Sequence, residues 1–148
     1  MKKIVAGFSL MLMLVVGAVQ AGEEEDISQA VAAAESWLAI VDAGRFAESW
    51  DGAATTFQTG ISKAQWLQAV GKVRTPIGAV RSRMLMKGND APRVAKLAGG
   101  DAVVIQFATA FDKLAPTIET VTPFREPDGS WKVSGYYIRP ALNLKPET

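Results

Sequence analysis

The chain has 148 residues, no histidine, no cysteine and a formal net charge of +1. Ser-His-Asp triads, thiolate nucleophiles, disulfides and zinc sites with His or Cys ligands are therefore excluded. No basic excess points to nucleic acid or an anionic membrane, and any acid–base chemistry falls to Asp, Glu, Lys or Tyr.

Lys2 and Lys3 precede an uncharged apolar stretch from Ile4 to Val19. Val19-Gln20-Ala21 then sets small residues where a signal peptidase reads them, and Gly22-Glu23-Glu24-Glu25-Asp26 begins a hydrophilic chain. This pattern predicts a signal peptide over residues 1–21 and a single exported, periplasmic domain over residues 22–148. The alternative is a retained anchor. The apolar run falls short of the about 20 residues a spanning helix needs, which favours cleavage. Without a cysteine the chain cannot be a lipoprotein anchored through one. Removing Lys2 and Lys3 from sixteen basic residues leaves fourteen against fifteen acidic ones, so the mature domain is nearly neutral.

Apolar residues then recur at Ile27, Ala30, Val31, Ala34, Trp37, Leu38 and Val41, the spacing of one helical face. This predicts a helix from Asp26 to Ala43, capped by Asp26 with Gln29 three residues on, and ended by Gly44 in a left-handed turn. Phe46 and Trp50, four apart, predict a short second helix. Asp51 to Gly60 reads as a connection. Ser62-Lys63-Ala64-Gln65 is a capping box, and Ile61 before it is placed to staple onto Trp66. Trp66, Val70 and Val73 give this third helix its core face, and Pro76 is expected to stop it.

From Ala79 the period changes to two. Four strands are predicted: 79–87, 102–112, 117–125 and 130–139. The last two links are short enough for hairpins, so an antiparallel meander follows. The longer link over residues 88–100 has room for an extra short strand or a lid. Ala141 to Thr148 is expected to fray. The fold class is α+β, with about three N-terminal helices on a curved four-stranded antiparallel meander. Val103, Ile105, Phe107 and Phe111 share one side of the second strand. Val104, Gln106, Ala108 and Ala110, also mostly small or apolar, share the other, so a helix layer, a dimer partner or a ligand is expected on each face.

Several runs resemble one family. They are Trp37 with Val41-Asp42-Ala43-Gly44, Phe46-Ala47-Glu48-Ser49-Trp50, Gln65-Trp66, Arg74-Thr75-Pro76-Ile77-Gly78 and Arg81-Ser82-Arg83. Phe107, Phe111, Glu119-Thr120-Val121 and the closing run from Asp128-Gly129-Ser130-Trp131 to Gly135-Tyr136-Tyr137-Ile138 continue the match. Together they resemble the DUF4019 proteins over nearly the whole mature chain. The resemblance implies a small exported bacterial protein without established activity, and brings no catalytic residues. It also implies an NTF2-like or cystatin-like layout, an analogy of fold and not of site.

The four tryptophans, Trp37, Trp50, Trp66 and Trp131, are expected as core anchors, because aromatic side chains carry large buried area. Arg74, Arg81, Arg83, Arg125 and Arg139 form a second group, in which Arg81 and Arg83 lie two apart on a strand, hence on one face, and Glu119 on a later strand can approach either. That group reads either as an anion pocket or as a cross-strand ion pair. Tyr136 and Tyr137 face opposite sides, one toward the core and one toward a pocket. Asp42, in the last turn of the first helix where the dipole disfavours it, calls for a specific partner such as a backbone amide or an arginine. Met84 and Met86 are expected in the core rather than as a soft-metal site.

The candidate ligand-binding residues are thus Arg81, Arg83, Glu119, Tyr136 and Tyr137. No catalytic residue, metal or cofactor is expected. The predicted function is non-enzymatic binding of a small ligand or protein partner through the sheet face. The alternatives are a small isomerase or hydrolase using Glu119 and a tyrosine, and a structural module that dimerises through the sheet. No nucleic acid is expected as a partner, and no membrane once the leader is cleaved.

Overall fold

The computed structural model describes residues 11–141. Residues 1–10 of the expected leader and residues 142–148 of the expected tail lie outside that range. Four helices, α1 (Met11–Asp42), α2 (Phe46–Asp51), α3 (Thr55–Gly60) and α4 (Lys63–Ile77), precede five strands. These are β1 (Val80–Leu85), β2 (Arg93–Leu97), β3 (Gly100–Phe111), β4 (Thr117–Arg125) and β5 (Trp131–Pro140). No helix among the described residues is long and apolar enough to cross a membrane.

The stripe on α1 packs as its spacing implies: Ala30, Ala34, Trp37, Leu38 and Val41 are buried. Gly44 ends the helix at φ 74°. Its N–H donates to the Val41 carbonyl (2.9 Å) and that of Arg45 to Ile40 (3.1 Å), the paired bonds of a Schellman turn. Asp26 is not a cap. The helix runs back through Met11, so Asp26 is interior and its carboxylate pairs with Arg125. The connection expected over residues 51–60 contains α3, because Gln58 holds the Trp50 and Asp51 carbonyls and closes a turn.

In α4 the capping box forms, with Gln65 N–H donating to Ser62 Oγ (3.2 Å) and Ser62 N–H to Gln65 Oε1 (3.0 Å). Two expectations for this helix are corrected. Pro76 does not stop it, since one lost hydrogen bond in the final turn is tolerated and the helix continues to Ile77. Gly78 ends it instead, at φ 78° and ψ −160°, a region essentially reserved for glycine. A Cβ there would sit 2.8 Å from that of Asp112. The core face is also rotated: Trp66, Val70 and Arg74, spaced by four, are buried, whereas Val73 is 47% exposed.

The sheet order is β1-β3-β4-β5, all antiparallel, with β2 pairing β3 beyond the end of β1. β2 is the extra strand for which the long link had room. β1 and β2 thus share one edge of the long strand β3, end to end. Val103, Ile105, Phe107, Thr109 and Phe111 face the helices and are buried. Ala141, expected to fray, is buried and donates its N–H to the Pro116 carbonyl (3.0 Å).

Trp37, Trp66 and Trp131 are core residues, and Trp50 is half-buried against them. Three indoles also tie the helix layer together. Trp37 Nε1 donates to the Ser49 carbonyl (2.8 Å), Trp66 Nε1 to Ser49 Oγ (2.9 Å) and Trp50 Nε1 to the Ile61 carbonyl (2.9 Å). Ser49 is fully buried because it serves two of them. Met84 departs from expectation: it is 68% exposed, on the sheet face away from the helices.

Candidate functional site

Six elements, α1, α4, β1, β3, β4 and β5, deliver charged or hydroxyl side chains to one place between the sheet and the helices. Asp42 closes α1, Arg74 follows Trp66 and Val70 on the buried face of α4, and Arg83 sits on β1. Glu119 lies on β4 and Tyr136 on β5. Register puts Arg83 opposite Thr109 and Glu119 opposite Phe107, both on the helix-facing side of β3. Tyr136 shares that side through Val121.

Arg83 is the hub. Its Nε and Nη2 donate to Glu119 Oε1 (2.7 Å) and Oε2 (3.2 Å). Its Nη1 and Nη2 donate to Asp42 Oδ2 (2.7 Å) and Oδ1 (3.0 Å). One guanidinium therefore grips two carboxylates, each in a two-pronged geometry. Thr109 Oγ1 donates to Glu119 Oε1 (2.6 Å) and Tyr136 Oη to Oε2 (2.5 Å). Arg74 Nη2 donates to Asp42 Oδ1 (2.8 Å) and its Nη1 to Tyr136 Oη (3.3 Å), while the guanidinium lies over the Phe111 ring at 5.0 Å.

Two cations face two anions, so the cluster is formally neutral. Every carboxylate oxygen in it accepts at least one hydrogen bond from the chain itself. That completeness matters because Glu119 is fully buried, and an unpaired charge there would be very costly. Burial tends to raise the Asp42 pKa, but the hydrogen bonds from Arg83 and Arg74 outweigh it and hold the carboxyl below the ordinary 3.8. The Tyr136 hydroxyl is pushed well above the usual 10, first by burial and then by the charge of Glu119, with Arg74 opposing.

These shifts set the sign of a pH dependence. Asp42 has a folded-state pKa below its unfolded one, so it contributes stability above about pH 4 that is lost as the pH falls through and below that value. Tyr136 has a raised pKa, so its contribution is present below pH 10 and is lost above it. Urea titrations across pH should show a plateau that falls at both ends. Asp42→Asn should lower the plateau and flatten its acid shoulder; an unaltered acid shoulder would remove Asp42 from the account.

Of the residues singled out from sequence, the fold brings Arg83, Glu119 and Tyr136 together and leaves Arg81 and Tyr137 out. Arg81 does not share a face with Arg83, because the β1–β3 register shifts between Val80 and Ser82. It is solvent-exposed and pairs with Asp112. Tyr137 points to the opposite sheet face from Tyr136 and is 55% exposed. Asp42 has the partner its position called for, and that partner is a pair of arginines. Arg74 was grouped with the other arginines but not placed among the binding residues, and Thr109 was missed. Arg74 left a signal: it continues the i, i+4 run of Trp66 and Val70, where a core residue belongs. Thr109 left none beyond its alternation with Phe107 and Phe111.

The opposite face of the sheet is unlike this one. Ser82, Met84, Ala108, Ala110, Ala115 and Pro116 line a shallow groove of about 370 Å³ on it. Tyr137 rises beside Thr120, its partner across the strands.

The molecule is thus an α+β domain with an ionic cluster under its helices, whose carboxylates are paired within the chain, and a second sheet face that no described helix covers. Its chain belongs to the family described as "Protein of unknown function (DUF4019)", whose model matches residues 33–136. All the cluster residues from Asp42 to Tyr136 fall within that match. No curated protein and no solved structure matches the chain.

Proposed function

We propose that this protein is an exported, non-enzymatic binding domain that engages its partner through the open sheet face. The observation that carries this reading is the contrast between the two faces. On the helix side, Arg83, Glu119 and Tyr136 are engaged by one another and by Asp42, Arg74 and Thr109, with Arg83 spending four hydrogen bonds on the two carboxylates. An anionic ligand would have to displace Asp42 from Arg83, and a substrate would find Glu119 already accepting four hydrogen bonds in the interior. A general base needs an unengaged lone pair within reach of its proton. The isomerase or hydrolase reading therefore lacks a group free to act. On the open side, Met84 lines a groove and is left largely in water, and Tyr137 is a second exposed large side chain on that face, which is where recognition has unused capacity.

Export fits the chemistry of α1. Glu23, Glu24, Glu25 and Asp26 lie in mid-helix in the full chain. Cleavage after Ala21 turns them into the first turn, where the positive end of the helix dipole favours carboxylates. Processing would thus leave the mature helix better terminated than any cut further along.

The test is a photo-reactive side chain placed at Met84 in the natural host, with one at Leu67, exposed on α4, as the control. A defined cross-linked product from position 84 and none from 67, on protein whose N-terminal residue is Gly22, is the expected result. Equal labelling at both positions, or a cytoplasmic chain beginning at Met1, would reject it.

A further inference from the structure

Resting on that reading, we infer that the open face takes an extended acidic segment of another polypeptide, with an apolar side chain seated in the groove beside Met84. The argument is one of charge segregation. Alternation and register put Ser82 and Met84 of β1, Arg93 of β2, Val104, Gln106, Ala108 and Ala110 of β3, and Ile118 and Thr120 of β4 on this face. They put Tyr137 and Arg139 of β5 there too, and Lys132 through its pairing with Phe124.

No strand residue on this face is an aspartate or glutamate. Besides Arg81, which is paired with Asp112 just past the end of β3, its charged side chains are Arg93, Lys132 and Arg139, all exposed. Among the described residues none of the three forms an ion pair. Asp128, held below the ordinary carboxylate range first by hydrogen bonds from Ser130, has Lys132 among the smaller causes. The whole chain is almost neutral, so a one-sign face is a local arrangement and not a by-product of composition.

Three cations around an apolar and hydroxyl-bearing centre set the complementary chemistry: carboxylates at the rim and one apolar anchor inside. Lys132 and Arg139 are seven residues apart on β5, a span of roughly 23 Å at about 3.3 Å per residue, which an extended peptide of about seven residues covers. The floor of the face also holds an unused donor. Thr120 Oγ1 is buried and, among the described residues, without a partner, opposite Tyr137 and beside Gln106. A carbonyl or carboxylate arriving with a displaced Tyr137 ring would satisfy it. A second copy of the chain fits less well, since apposing two such faces sets cations against cations. An anionic bilayer would match the charge, but the apolar element here is a recess that receives a side chain, not a ridge that inserts into lipid.

Selection of random peptides of about seven residues displayed on phage, against the purified protein, tests this without presupposing a sequence. The expected winners carry a net negative charge and at least one large apolar residue. By fluorescence anisotropy they should bind at least tenfold more weakly to an Arg93→Glu/Arg139→Glu variant and to Met84→Asp, and more weakly as salt rises. Circular dichroism should show both variants folded, since the three side chains are exposed. Winners without acidic excess, or binding indifferent to both variants, would overturn the inference while leaving the open face as the binding surface. Binding of phosphatidylglycerol vesicles with no peptide selected would overturn it in favour of a membrane. A concentration-dependent dimer abolished by Met84→Asp would overturn it in favour of self-association. Absence of any cross-link at position 84 in the host removes the underlying reading itself.

Discussion

Arg83→Ala should destabilise the fold by about 3–5 kcal/mol, the range for breaking a buried ion pair by removing one partner. The reason lies in what is left behind. Glu119 has no exposure to water and loses two of its four hydrogen bonds at once, while Asp42 keeps only Arg74. A fully buried carboxylate stripped of its cation must either stay charged and unpaired or take up a proton. Equilibrium urea unfolding of wild type and variant measures the loss. Removing Glu119 as well should give some of it back, because Arg83→Ala/Glu119→Ala no longer strands a charge. The double variant is therefore expected to fall short of the sum of the two single losses. A loss under about 1 kcal/mol for Arg83→Ala would mean that water or Tyr136 and Thr109 alone can support Glu119, on the scale of an exposed pair, and would reopen Arg83 as a group free to bind ligands.

Trp131→Ala should cost a similar amount, about 3–5 kcal/mol, for a different reason. The indole opens β5 and is buried against the core cluster, and Arg125 lies over its ring at 4.8 Å. Arg125 in turn pairs with Asp26 of α1. Truncation leaves a cavity and removes the surface that aligns Arg125 toward the helix. The same urea experiment reads this loss, and near-ultraviolet circular dichroism should report the missing buried indole. A cost below about 1 kcal/mol would place Trp131 outside the cooperative core. The two substitutions are expected to add nearly independently, since no residue of the Arg83 cluster touches Arg125 or Trp131 in the hydrogen-bond and ion-pair networks.

Much of the secondary structure was legible because short-range physics produces it. The face of α1, the Schellman turn at Gly44, the capping box at Ser62 and the switch to alternation near Gly78 all depend on residues within a turn or two of one another. What was misread had a local signal that a neighbour overrode. Pro76 is a helix breaker in general, but in a last turn it removes one bond that a glycine two residues later would have ended anyway. Met84 looked like a core residue because methionine usually is, yet which side of β1 meets the helices was decided by α1 and α4 lying elsewhere.

The candidate site divides the same way. Arg83, Glu119 and a tyrosine could be nominated from alternation, and Asp42 from its conflict with the helix dipole. Arg81 was wrongly joined to Arg83 because a register shift between strands leaves no mark in either strand's own residues. That Arg74 would arrive from α4 to share Asp42 could not be read from spacing, as thirty-two residues separate them.

Local spacing therefore sufficed for the order of helices before strands and for nominating Arg83, Glu119, Asp42 and a tyrosine as polar groups in need of partners. Only the folded chain chose the partners and sorted the two sheet faces into one that is sealed and one that is open. The physical reason is range. Helix caps and alternation are settled by hydrogen bonds and sterics among near neighbours, whereas ion pairing between α1, α4, β1 and β4 depends on how whole elements pack, which no segment encodes alone.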